Sequence, residues 1–163
     1  MLNEGDNVTP FNTSASPGIN LTISDYITNL AFLCPTSLAA QSLVAANTTA
    51  YRTIFSGVFP ALQPYPWARA YHGEDSLLLF GSEKYYAYQD PGPNVLRAGE
   101  YYRNAVAAFV RDPRDGLARY GWPKYNGTGQ TLVNLFPNQA PLATFEDSQQ
   151  VDAVCAQFTG GAA

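Results

Sequence analysis

The chain has 163 residues, 46% of them hydrophobic, which is enough for one folded domain with a core and too apolar for a disordered segment. The formal net charge is -4, and the nine Lys and Arg are scattered between Arg52 and Lys124, so no basic run exists to track a nucleic acid or an anionic membrane surface. Charged residues make up only 13%, while Tyr (11), Phe (9), Pro (12) and Gly (13) are plentiful, so loops and aromatic packing are expected to outweigh salt-bridged helices.

Residues 1–33 are rich in Asn, Thr, Ser and Gly and read as loop, with one helix from Ser24 to Leu33 capped by Ser24 or Asp25. Pro35-Thr36-Ser37 precede the Ala-rich run LAAQSLVAAN, which reads as a separate helix starting at a Ser or Thr cap. The segment YRTIFSGVF alternates, is rich in β-branched and aromatic residues, and reads as a buried strand bounded by Pro60. A Pro- and Trp-rich loop follows and ends at His72. Glu74 and Asp75 then stand where a helix dipole favours negative charge, ahead of Leu77-Leu78-Leu79-Phe80 and a closing Gly81. Between Asn94 and Arg111 the residues Val95, Tyr102, Val106, Phe109 and Val110 recur at helical spacing, and Asp112-Pro113 stops the run. The remainder reads as loop, a short strand in TLVNLF and a terminal helix from about Asp147. No apolar run is long enough to span a bilayer, and Met1–Asp6 has neither the basic nor the apolar region of a secretory signal.

The body of the chain nevertheless has an extracellular character. Five N-x-S/T sequons occur, at Asn7, Asn12, Asn20, Asn47 and Asn126, against about one or two from composition alone; Pro10 makes the first a poor acceptor and leaves Asn12, Asn20, Asn47 and Asn126 as candidate glycosylation sites. The two cysteines, Cys34 and Cys155, allow one intramolecular pairing and, beside the sequons, read as a disulfide. With one histidine and no C-x-x-C, a metal site is not expected.

His72 is that one histidine, and alone it reads as a helix-capping or packing residue. Glu4 beside Gly5 likewise reads as a solvated carboxylate in a turn. In combination the motifs say more. YRTIFSGVF followed by W…AYHGEDSLLLFG resembles the histidine segment of the type-B carboxylesterase and cholinesterase-like family of α/β-hydrolases, and Asn3-Glu4-Gly5 resembles the turn carrying that family's acid. FLCP and DAVCAQF resemble the half-cystines of its C-terminal disulfide, and AGEYYRNAVAAFVRDPRDG with WPKY resembles its late helix and W-P-x-Y segment, all in the family's order.

The resemblance implies an α/β fold in which residues 1–163 form the C-terminal part of an α/β-hydrolase, an incomplete central sheet with flanking helices. It implies Glu4 as the triad acid and His72 as the base, Cys34 bonded to Cys155, and an extracellular, cofactor-free ester hydrolase working through an acyl-serine. In such hydrolases the serine precedes the acid, yet no G-x-S-x-G and no HGGG-type oxyanion loop occur in the chain; Ser56-Gly57 and Gly81-Ser82 are the nearest sequences. A small-molecule or lipid ester is therefore expected as substrate only when an N-terminal half supplies the nucleophile. The alternative expectation is a non-catalytic cholinesterase-like glycoprotein using the fold as an interaction surface.

Overall fold

A computed structural model describes residues 21–65 and 67–158. These build a small mixed sheet flanked by helices, an arrangement compatible with a partial α/β fold. The elements in chain order are α1 (Leu21–Thr28), a π-helical segment (Asn29–Leu33), α2 (Cys34–Ala45), β1 (Arg52–Phe55), α3 (Glu74–Leu79), α4 (Glu83–Tyr86), α5 (Gly92–Arg111), α6 (Gly116–Tyr120), β2 (Leu132–Leu135), β3 (Ala143–Glu146) and α7 (Ser148–Asp152), with short 3-10 turns at Pro137–Gln139 and Ala153–Gln157.

The two separate helices expected before residue 48 are one continuous helical run, Leu21–Ala45. Pro35 lacks the N–H that an unbroken α-helix needs and crowds the carbonyl one turn earlier, so a break is the ordinary outcome. Here a wider turn absorbs the proline: the amide of Cys34 donates five residues back to Asn29 O. Thr36 is consequently inside the helix, its hydroxyl donating to the carbonyls of Phe32 (2.8 Å) and Leu33 (2.9 Å) instead of capping. Ser24 and Asp25 are also interior, and Asp25 accepts from Arg69 at 2.6 Å. Joined in this way, the 25 residues are long and apolar enough to cross a membrane, which corrects the expectation drawn from the interrupted sequence. Polar ties bind the second half of the run to the rest of the protein: Leu33 O accepts from Arg52, and the Ser37 hydroxyl donates to Asp152.

The sheet has the order β1-β2-β3. β1 runs parallel to β2 with Arg52 opposite Leu132 and Phe55 opposite Leu135, and β3 returns antiparallel to β2. β2 is the expected TLVNLF strand and is buried along its whole length. Its side chains alternate between the faces: Val133 and Leu135 enter the main core with Leu78 of α3, Val95, Ala98 and Ala105 of α5, and Leu117 and Trp122. The strand expected over 51–59 ends at Phe55. A β-carbon at Gly57 would press on the rings of Phe55 and Phe59, so the chain bends there and delivers Phe59 and Leu62 into the core.

The long helix α5 is present and ends at Arg111 as expected, but its buried stripe matches the expected apolar positions only in part, at Val95 and, packed against the core, Tyr102. Val95, Ala98, Gly99 and Ala105 face inward, while Phe109 and Val110 are 42% and 71% exposed. Small residues let α5 approach α3 and α6 closely, and a β-carbon at Gly116 would overlap the carbonyl of Ala108. Phe136, at φ 63, adopts a left-handed backbone rare for a bulky residue. It is held there by the rings of Phe55, Phe59, Tyr101 and Tyr102, with centroids 5.8 to 6.3 Å away. The terminal helix begins as expected, with Asp147 accepting from the amide of Gln149 at 2.9 Å.

Candidate functional site

His72 lies in the turn between the Pro- and Trp-rich loop and α3. Gly73 follows at φ 95, a left-handed conformation that suits glycine and lets the chain reverse into the helix. The imidazole is exposed and borders an open groove of about 600 Å³. Ser24, Asp25 and Thr28 of α1 line one side, Phe55, Ser56 and Val58 the end of β1, and Trp67 to Tyr71 the loop. Trp67 stacks on Tyr65 with ring planes 8° apart, and Arg69, at φ 53, bonds to Asp25 across the groove. The groove thus presents two serine hydroxyls, a guanidinium–carboxylate pair and one imidazole. Among the described residues none hydrogen-bonds that imidazole, whose ring is of the type that exchanges protons near neutral pH.

Two residues further on, Glu74 is 0% exposed. It stands in the first turn of α3, as expected, but is not solvated there. Instead one carboxylate oxygen accepts from the amide of Phe59 at 3.2 Å and the other from Nε2 of Gln63 at 3.0 Å. No cation lies against it among the described residues, and burial pushes its pKa from 4.5 to about 7, with the hydrogen bonds opposing the rise and Asp75 adding to it. The same surroundings push Tyr71 upward, through burial first and then the charge of Glu74. The signal available in the sequence was spacing: Glu74 precedes Leu78 by four residues, so the two share a helix face, and Leu78 is also wholly buried.

This burial has a consequence for stability. An acid whose pKa is higher in the folded than in the unfolded state favours the fold at low pH. Below about 4.5 both states hold the proton; between 4.5 and about 7 only the folded state does, so stability falls as the pH rises, and above that the loss is complete. The expected total is about 3 kcal/mol. Urea unfolding of the wild type and Glu74→Gln across this window checks it: the variant should lose the slope, and parallel profiles would refute the assignment.

Glu4, the expected acid, lies outside the described residues, as do Asn7, Asn12 and Asn20. Cys34 and Cys155 are bonded, with Cα atoms 5.5 Å apart, at the start of α2 and in the 3-10 turn after α7. Asn47 and Asn126 are both exposed. Asn47 sits at φ 56 just past the end of α2, and Asn126 accepts from the amide of Thr128 at 2.9 Å, so its sequon forms an Asx turn. Among the described residues no cluster of His, Cys, Asp and Glu could hold a metal ion.

Comparison with known proteins found two curated relatives. The secreted lipase 5 of Gibberella zeae is 29% identical over 124 residues, which are 73% of this chain and 22% of the lipase. The chlorogenic acid esterase of Aspergillus niger is 32% identical over 145 residues, 79% of this chain and 28% of the esterase. These matches support an esterase or lipase family. The chain spans about a quarter of the length of these relatives. No family model matches the chain. No solved structure matches it either.

Proposed function

We propose that this chain is the C-terminal portion of a secreted carboxylic-ester hydrolase of the type-B family, supplying the acid Glu4 and the base His72 to a serine carried by the rest of such a protein. The observation that carries the reading is the exposed imidazole on an open groove, in a chain most of which matches a lipase and an esterase. In the assembled enzyme His72 takes the proton from the serine hydroxyl as its oxygen attacks the ester carbonyl. It returns that proton to the leaving alcohol, giving an acyl-serine, and then activates the water that releases the acid. Glu4 orients the ring and stabilises the imidazolium. The lipase relative's description as secreted, the disulfide and the exposed sequons at Asn47 and Asn126 support an extracellular setting.

Two measurements test the reading. A serine-directed fluorophosphonate is expected to leave this chain unlabelled; labelling of Ser24 or Ser56 in the groove that disappears in His72→Ala would place a nucleophile within the chain and overturn it. In a chimera where this chain replaces the matched segment of the Gibberella lipase, His72→Ala should lower the turnover of a p-nitrophenyl ester by on the order of 10⁶, and Glu4→Gln by on the order of 10⁴. A chimera whose turnover survives His72→Ala would sink the assignment of the base.

A further inference from the structure

The turn carrying His72 is fastened on both sides to one segment. On the N-terminal side the Tyr71 hydroxyl donates to the carbonyl of Leu62 at 3.0 Å. On the C-terminal side Glu74 receives the amide of Phe59 and the side-chain amide of Gln63. All three bonds land within residues 59–63, where Phe59 and Leu62 are core residues exposed by 1% and 0%. Between the two fastenings only His72 and Gly73 remain, and Gly73 contributes no side chain that could brace the ring.

We propose that Tyr71 and Glu74 are positioning residues that clamp the His72 turn to the 59–63 segment, itself anchored in the core by Phe59 and Leu62, and thereby hold the imidazole at the groove. The proposal deepens the reading of His72 as a base and rests on it for its catalytic meaning. The physical case is that an exposed ring in a turn preceding a helix of six residues has little local structure to fix it. A proton-transfer group must nonetheless stay within hydrogen-bond reach of its partner, and small misplacements are costly. A fully buried carboxylate is an expensive fastener, since burial alone disfavours its charge. In return it accepts from two donors at once, which no apolar side chain of that size could satisfy. The surroundings also specify which substitution should preserve the clamp. Gln63 Oε1 is buried without a partner. A glutamine at position 74 can accept from Phe59 with its oxygen and, once the Gln63 amide turns over, donate its own N–H to that oxygen.

Because His72 is the chain's one histidine, a 13C label at histidine Cε1 gives a single resonance that reports the position of this ring without any turnover. In Glu74→Ala the resonance should move most of the way toward its position in the urea-unfolded chain, with Phe59 amide exchange about tenfold faster. Tyr71→Phe should move it in the same direction by less, and Glu74→Gln should leave it close to the wild-type position. Val95→Ala, which opens a core cavity and removes none of the three clamping bonds, should lower stability and leave the resonance in place. A resonance unmoved in Glu74→Ala despite faster Phe59 exchange would overturn the clamp, and so would an equal shift in Val95→Ala. Should Glu74→Ala fail to fold, Tyr71→Phe decides: it removes one hydroxyl only, and an unchanged resonance there refutes the proposal. Failure of the hydrolase reading would appear in the chimera's turnover and leave these spectra untouched, so the two ideas fall separately.

Discussion

Removing the Cys34–Cys155 disulfide is expected to cost this chain about 5 kcal/mol of stability. The bond closes a loop between residues 121 apart in sequence, and in the chain-entropy account the stabilisation comes mainly from restricting the unfolded ensemble, growing slowly with the logarithm of loop length. A whole small domain has only about 5–15 kcal/mol, so the bond accounts for a large part of what holds the fold. It also joins the long N-terminal helical run to the turn after α7, two elements far apart in sequence that a short polar network and the Tyr26–Phe158 ring contact also connect. Urea unfolding of the oxidised chain against Cys34→Ala/Cys155→Ala measures the effect. A difference below about 1 kcal/mol would show that the reduced chain retains the same restriction by other means.

The second large loss is expected at the ion pair beside that bond. Arg52 Nη1 and Nη2 reach the two carboxylate oxygens of Asp152 at 2.6 and 2.7 Å, and the side chains are 3% and 14% exposed. Further contacts extend the pair: Arg52 donates to Leu33 O at 3.2 Å, Ser37 donates to Asp152 at 2.6 Å, and the guanidinium lies 5.7 Å from the centre of the Tyr125 ring, while Arg52 Nε is buried without a partner. Breaking such a pair leaves a buried charge uncompensated, so Asp152→Ala should cost about 3–5 kcal/mol. Replacing both partners by apolar residues, Arg52→Met with Asp152→Leu, should recover most of that loss, because desolvation offsets much of the attraction in a buried pair. Denaturant titration of the single and double variants distinguishes the outcomes; a double variant as unstable as Asp152→Ala would contradict this account. Since Asp152 is three residues from Cys155, its loss and the loss of the disulfide should not add independently.

Much of the local structure was legible. The 3.6-residue period and the Asp112-Pro113 stop located α5, the β-branched runs located β1 and β2, and Asp147 marked the last helix because its side chain satisfies an orphan amide. The helices α4 and α6 and the strand β3 passed unnoticed, since four- and five-residue elements contain too little periodicity to stand out from loop. At the site, His72 was recognisable as the chain's one imidazole and Glu74 was placed in the first turn of its helix, without its burial. An acidic residue at a helix start satisfies the dipole whether it is wet or dry, so beyond the four-residue spacing to Leu78 it is the packing of the 59–63 segment over it that distinguishes the cases.

The sequence by itself determined which chemistry is available: one imidazole, two cysteines with a single intramolecular pairing, no nucleophile elbow, and a pattern resembling the ester hydrolases. Those are matters of residue type and order, which survive any conformation. The tertiary structure alone decided that Pro35 lies within a continuous helix, that α5 buries its small residues and exposes Phe109 and Val110, and that Glu74 is a buried acceptor holding the turn beside His72. Each of these depends on what the rest of the chain places against a residue, and a long-range packing partner leaves no mark in the local sequence.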